Sequence, residues 1–443
     1  MKQMNDAAGY PASGSTPESM LAFERALNEF RCYLNDPVAT VDDAIAASPS
    51  MVMAHVLKAY LHLLGTEPAG LPVARACLDA ALALPANERE KYHLEAVRRI
   101  TAGHWRDAAR TLEDLSAEYP RDALALQAGH LVDFLVGDSR MLRDRIARAL
   151  PHWSKTLPGY HAVIGMHAFG LEETGDYVQA DRQGRLSVEL EPRDGWGQHA
   201  VAHVLEMTNR RRDGIAWMQG NVDAWSQDSF FAVHNWWHLA LYHLELEQID
   251  EVLRLYDGPI FGQRSTPIFD MVDASALLWR LHLRGIDLGD RWEALADNWT
   301  PHIGAGNYAF NDFHAAMAFG GSRRPKSLQA LLEVQRAAMR GDGDNAFFVR
   351  EVGHSATLAI QAFGEGDYAQ AVQLLRPIRN IANRFGGSHA QRDLFDLTLI
   401  EATFRAGNTA LAAALAAERA ALRPQSPLAR LYVQRSMGLA QAA

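Results

Sequence analysis

Two short segments of the chain carry residue types at a spacing that chemistry can use. They are His199-Ala-Val-Ala-His203-Val-Leu-Glu206-Met207 and His234-Asn-Trp-Trp-His238-Leu-Ala-Leu-Tyr242. Each holds a His-x3-His pair in a helical pattern, and a spacing of i, i+4 sets both rings on one helix face. The pairs lie 35 residues apart, and one more step of 35 from His238 reaches Asp273. A period near 35 is that of a stacked helix–turn–helix array. Together these regularities predict a column of His, His and Asp on successive helices. Imidazole is the side chain best suited to proton transfer near neutral pH. Two such pairs on neighbouring helices also suit a transition metal, with His199, His203, His234 and His238 as ligands and Asp273 or Glu206 completing the set.

The elements that must position these residues are helices. From Glu18 onward apolar residues recur at i, i+3, i+4 and i+7, punctuated by Gly, Asn, Asp and Pro, with no sustained two-residue alternation. Gly170-Leu-Glu-Glu-Thr-Gly175-Asp-Tyr177-Val-Gln-Ala180 and Ala359-Ile-Gln-Ala-Phe363-Gly364-Glu-Gly-Asp-Tyr368-Ala-Gln-Ala371 resemble the middle of a tetratricopeptide unit. In both, Gly ends one helix, Asp caps the next, and the Ala lets two helices pack closely. Gly103-His-Trp105-Arg-Asp-Ala-Ala109 is a third copy, and Gly407-Asn-Thr-Ala-Leu-Ala-Ala413 a looser fourth. First helices of the pairs are expected to start near residues 90, 121, 158, 195, 230, 268, 307, 346 and 387. The predicted fold is all-α, a right-handed α-α superhelix of divergent tetratricopeptide-like helix pairs. Residues 1–16, polar and rich in Gly, Ser and Pro, read as a flexible tail. Residues 17–443 read as a single solenoid with a polar, His-rich concave pocket. Tyr256–Pro267 and Trp299–Gly306 read as inserted loops able to cover one end of it.

The first helices offer a convergent set of polar groups. His203, His238, Asp273 and His314 are the expected catalytic residues: the two histidines as an acid–base pair, Asp273 orienting an imidazole. His199, His234, Trp237, Tyr242, Asn311, His389 and Arg392 are the expected substrate contacts, Arg392 for its planar fork toward a carboxylate. Consecutive Trp236 and Trp237 also fit simple packing, since neighbouring side chains on a helix diverge. The zincin pattern His-Glu-x-x-His is absent, as are GxGxxG after a strand, GxxxxGK[ST] and GxSxG. No nucleotide cofactor is therefore expected, and the cofactor left in play is a transition metal.

Bulk composition excludes other classes. The 443 residues are 48% hydrophobic and 22% charged, an ordinary globular balance, with a net charge of −10. A nucleic-acid binder needs a basic stripe, and the strongest basic cluster, Arg210-Arg211-Arg212, sits at a predicted helix–helix turn. Nucleic acid is not an expected partner. Cys32 and Cys77 lie in apolar helical stretches without metal spacing, which fits buried thiols in a reducing compartment. No run of 18 apolar residues exists, and the opening residues lack the apolar stretch of a secretory signal. The expectation is a cytoplasmic protein without membrane contact, with oligomerisation through repeat edges compatible with the pattern.

The same motifs carry a family resemblance. His199-x3-His203-Val-Leu-Glu-Met, His234-Asn-Trp-Trp-His238-Leu-Ala-Leu-Tyr-His and Val272-Asp273-Ala-Ser-Ala-Leu-Leu-Trp279-Arg280-Leu resemble the tetratricopeptide repeat protein 38 family. Phe310-Asn-Asp-Phe-His314-Ala and Gly386-Gly-Ser-His-Ala-Gln-Arg-Asp393 are similar to the same family, and the resemblance spans residues 20–435. It implies a soluble protein of divergent tetratricopeptide-like units, with no settled activity attached.

Two functions fit. The first is a small-molecule enzyme or binder using the His/Asp pocket for hydrolysis, elimination or isomerisation of a small polar molecule, none of which needs an organic cofactor. The second is a non-catalytic scaffold for a protein or peptide partner. Peptide-binding arrays usually display Lys, Arg and Asn for a terminal carboxylate. The first helices here offer mostly His, Trp and acids, which favours the enclosed pocket.

Overall fold

The apolar spacing produces helices from end to end. The computed structural model describes residues 4–442, and the strands among them are a two-residue pair, Met4–Asn5 (β1) antiparallel to Pro11–Ala12 (β2). Helices then follow as pairs: α1 (Pro17–Cys32) with α2 (Pro37–Ala47), α3 (Val52–Leu63) with α4 (Gly70–Leu82), and α5 (Glu88–Thr101) with α6 (Trp105–Glu118). Next come α7 (Ala123–Val136) with α8 (Ser139–Ala149), α9 (Tyr160–Glu173) with α10 (Tyr177–Leu190), then α11 (Gly195–Met207), α12 (Arg211–Gln219), α13 (Val222–Ser226), α14 (Ala232–Glu245) and α15 (Ile249–Leu255). The remainder is α16 (Ile268–Leu283) with α17 (Arg291–Trp299), α18 (Ala309–Gly321) with α19 (Pro325–Ala338), α20 (Asp344–Phe348), α21 (His354–Gly364) with α22 (Tyr368–Ile378), α23 (His389–Arg405) with α24 (Thr409–Leu422), and α25 (Pro427–Ala442).

The expected first helices all appear, each starting within two residues of its sequence-derived position. The reason is local chemistry. Gly175 and Gly366 adopt φ of +87° and +81°, a left-handed conformation that suits glycine and ends the preceding helix. The following Asp176 and Asp367 accept from the amides of Gln179 and Gln370 at 3.2 and 3.0 Å, satisfying donors that the new helices leave open. Ala180 and Ala371 are fully buried where the paired helices meet.

Burial separates the two helices of a pair. In α9, 12 of 14 residues are buried; in its partner α10, only four are. In α16, 14 of 16 are buried. First helices are therefore packed on nearly every face, and whatever polar groups they carry lie inside.

The helices group into two compact units: residues up to Val204 with Gly220–Asn235, and Leu205–Gln219 with Trp236 onward. Helix pairs that touch mainly their sequence neighbours need not share one core. The polar N-terminal stretch is a folded hairpin, not a tail, over the described residues 4–16. Arg89 Nη1 donates to Asp6 Oδ2 at 2.6 Å and lies 3.4 Å from Asp122 Oδ2, while the Ser13 amide donates to Glu90 Oε1 at 2.7 Å. A partner 83 residues away leaves no mark on local composition. The two expected loops are partly helical, with a π-helical turn at Tyr256–Ile260 and a 3-10 turn at Thr300–His302.

Arg89→Ala strands two buried carboxylates without their shared cation. Its unfolding free energy should fall by about 3–5 kcal/mol, read by urea denaturation at pH 7; a loss within error of zero would show that the hairpin does not depend on this pair. Asp312 on α18 is buried, accepts from Gln335 Nε2 at 3.2 Å, and burial pushes its pKa up to about 7. Between the unfolded value near ~3.9 and about 7, the folded state holds the extra proton. Stability therefore declines as pH rises through that window. Asp312→Asn should melt about 3–6 °C above the parent at pH 8 and level with it at pH 4.5; an equal offset at both values would mean that the carboxyl does not titrate there.

Candidate functional site

Two polar clusters emerge, one in each unit. In the first unit the histidines of α11 and the start of α14 come together. Asp194, just before α11, accepts from the Gly197 amide at 2.9 Å and from Ser187 Oγ at 2.8 Å, and its Oδ2 meets His161 Nδ1 at 2.8 Å. That cap fixes where α11 begins, and so the heights of His199 and His203. His199 Nε2 faces His234 Nε2 at 3.0 Å, so a hydrogen bond there needs one ring to donate and the other to accept. Ligand nitrogens of His199, His203 and His234 all lie within 4.8 Å of one another. His203 Nδ1 is 3.6 Å from Glu172 Oε2 on α9. The three rings are 1–3% exposed and packed among Phe169, Trp196 and Phe231. The spacing argument thus brings three of its four histidines together within this unit. They sit in the core, where a solvent-facing concave pocket was expected. A helix packed on all sides has no open face on which to display them.

The other expected site residues belong to the second unit. His238 follows His234 by one turn on the same face of α14, and its Nδ1 is 3.7 Å from Glu206 Oε2. Asp273 is fully buried on α16. His314 donates from Nδ1 to the Phe310 carbonyl at 2.8 Å, and burial pulls its pKa down to about 4, so it is a neutral core histidine at pH 7. Asn311 is buried on the same helix, and His389 and Arg392 are half-buried at the start of α23. The Arg392 fork is turned onto the Gly387 carbonyl of its own turn.

Tyr242 belongs to a feature that the sequence reading missed. It lines a narrow cleft of about 50 Å³ in the second unit, walled by five arginines: Arg211, Arg280, Arg284, Arg419 and Arg423. Three carboxylates, Glu206, Glu245 and Asp393, face them. The wall is aliphatic, with Leu241, Leu244, Leu283, Leu397 and Leu428. Gly214 on α12 seats the Tyr242 ring, since a Cβ there would come within 2.3 Å of it. A visible signal existed: Arg280-x3-Arg284 and Arg419-x3-Arg423 repeat the i, i+4 spacing of the histidines. Neither inserted loop lines this cleft.

The arginines are unequally matched. Arg419 grips Asp393 with both Nη atoms, one of them at 2.9 Å. Burial works against ionisation of Asp393, yet Arg419, Arg423 and Arg280 hold its carboxyl well below the ordinary range. Arg211 and Arg284 lie 3.4 and 3.9 Å from Glu245, and Arg423 Nη1 3.6 Å from Glu206. Arg280, 5% exposed, donates to the carbonyls of Ala276 and Ala390 and lies over the Trp237 ring at 5.3 Å. Among the described residues no carboxylate comes within ion-pair distance of it, and burial lowers its pKa to about 10. A second, more open cleft of about 430 Å³ shares Leu283, Arg284, Leu428 and Tyr432 as a common wall and adds Arg405 and Arg435.

Comparison with known proteins adds little. No family model matches the chain. It is similar to the human IFIT1 dimer with m7Gppp-AAAA at 13% identity, over 99% of this chain and 96% of that one, with a TM-score of 0.41. It is also similar to the Cut9–Hcn1 hetero-tetramer of the APC/C, at 9% identity, 86% and 76% coverage and a TM-score of 0.39. For the P58(IPK) TPR domain the values are 14%, 88% and 89%, with a TM-score of 0.22. Likenesses this distant carry no weight here, and the all-α architecture of helix pairs stands on the helices themselves. No helix among the described residues is long and apolar enough to cross a membrane.

Proposed function

We propose that this protein is a non-catalytic binding scaffold that holds the C-terminal carboxylate of a partner polypeptide in the arginine-lined cleft of its second unit. The observation that carries the reading is Arg280, a buried cation on a cleft wall with no carboxylate within ion-pair distance among the described residues, Asp393 and Glu206 acting on it from farther off. A buried charge without a contacting counter-ion retains part of the several-kcal/mol penalty of a broken buried ion pair. A planar carboxylate matches the guanidinium fork and relieves that imbalance. The five arginines exceed the three acids, so the cleft keeps positive charge to offer.

The remaining features set the kind of carboxylate. Leucines on the wall suit an aliphatic last side chain. The adjoining cleft, sharing Arg284 and Tyr432, gives an extended chain somewhere to lie, which a free organic acid would not need. Arginine here answers the objection raised from the first helices alone: the groups that peptide-binding arrays use come from α12, α16 and α24. The enzyme reading has less support, because His203, His238, Asp273 and His314 are each no more than 1% exposed. Membership of the tetratricopeptide repeat protein 38 family, resting on the motifs around His199, His234, Asp273 and His314, forms part of the same proposal.

An array of C-terminal decapeptides, followed by calorimetric titration of its best binders, tests this. Peptides ending in a free carboxylate and an aliphatic residue should bind, and amidating that carboxylate should weaken them about 10–100-fold. Arg280→Met should weaken the free acids by a similar factor while leaving the unliganded protein at least as stable in a thermal melt. Binding indifferent to amidation, or no binder at all, would overturn the reading.

A further inference from the structure

We infer that His199, His203 and His234 hold a divalent transition-metal ion in the core of the first unit. The proposal is independent of the arginine cleft, which lies in the second unit. Three imidazoles from two helices bring their ligand nitrogens within 4.8 Å of one another. The His199–His234 pair meets Nε2 to Nε2 at 3.0 Å. Two imidazole ligands at tetrahedral angles on one zinc stand ~3.4 Å apart, so seating an ion needs these rings to part by only a few tenths of an ångström. A neutral imidazole is the form that ligates a metal ion.

A second feature is what metal-binding histidines generally have. A ligating imidazole uses one nitrogen for the ion and turns the other toward a carboxylate, which fixes the ring and raises its basicity. His203 has Glu172 3.6 Å from Nδ1, leaving Nε2 for the ion. The first turn of this logic is in the sequence: Glu172 and Glu206 are 34 residues apart, each set behind a histidine of the following first helix. The ligand set is all nitrogen, which suits Zn, Ni, Cu or Fe and does not suit Ca or Mg.

The full-length protein, stripped with a chelator, is titrated with Zn2+ alone and followed by calorimetry and elemental analysis. One ion per chain is expected, with affinity falling as pH drops and the imidazoles protonate. Glu172→Gln should keep the stoichiometry and weaken affinity about 10–100-fold. His199→Gln/His234→Gln should lose the ion while retaining helical circular dichroism. Should that variant fail to fold, Co2+ added to the unmutated protein decides: strong visible absorption of a tetrahedral nitrogen-ligated centre supports the site, and the weak spectrum of hydrated Co2+ refutes it. Absence of stoichiometric Zn2+ in the parent protein, or undiminished binding in the folded double variant, overturns the inference.

Discussion

The constraint on which the structure depends is that first helices such as α9, α16 and α18 have almost no solvent face. In α9 and α16 nearly every residue is buried, so a polar side chain there has no water to turn to. Each must be matched inside the protein or held at a free-energy penalty. This explains why the interior carries so many ionisable groups in specific company. Arg145 meets Asp133 with 2.7 and 2.9 Å contacts, Arg89 bridges Asp6 and Asp122, and His93 Nε2 reaches Asp122 Oδ2 at 3.0 Å. The second helices, half in solvent, carry their charges outward as ordinary surface pairs such as Arg185–Asp181.

The two units answer this constraint differently. In the first, buried histidines are backed by a carboxylate, and the arrangement is close to balanced. In the second, arginines outnumber acids around the cleft, and Arg280 contacts only backbone carbonyls and the Trp237 ring, with Asp393 and Glu206 farther off. A cation over an aromatic face gains about 0.5–2 kcal/mol, less than an ion pair in the same place would require to be replaced. The positive cleft sits in a chain of net charge −10. Long-range attraction of anions is therefore weak, and selectivity must come from the short-range geometry of the guanidinium forks.

Close packing makes such placement repeatable. Ala180 and Ala371 let paired helices approach, and Gly214 lets α12 lie against the Tyr242 ring. The Gly-Asp-Tyr turns fix the phase at which each new helix starts. With phase fixed, a spacing of about 35 residues returns the same face at each repeat, which is why Glu172 and Glu206 both stand behind histidines.

Much of this was legible in the residue order. Helix positions follow from apolar period, glycine stops and aspartate caps, all of which act over a few residues. The juxtaposition of His199 with His234 follows from helical spacing combined with repeat length. What local patterns cannot carry is which face meets solvent and which partner lies across a long stretch of chain. Hence the N-terminal stretch looked like a tail, although Asp6 is bound to Arg89, and the histidines looked like a pocket lining, although they lie in the core. The arginine cleft draws on seven helices from α11 to α25, and its two i, i+4 pairs mean nothing until the fold brings them to one cleft. Sequence alone determined the helices and their register, because those depend on neighbours along the chain. Tertiary structure alone decided burial and charge balance, because these depend on neighbours in space.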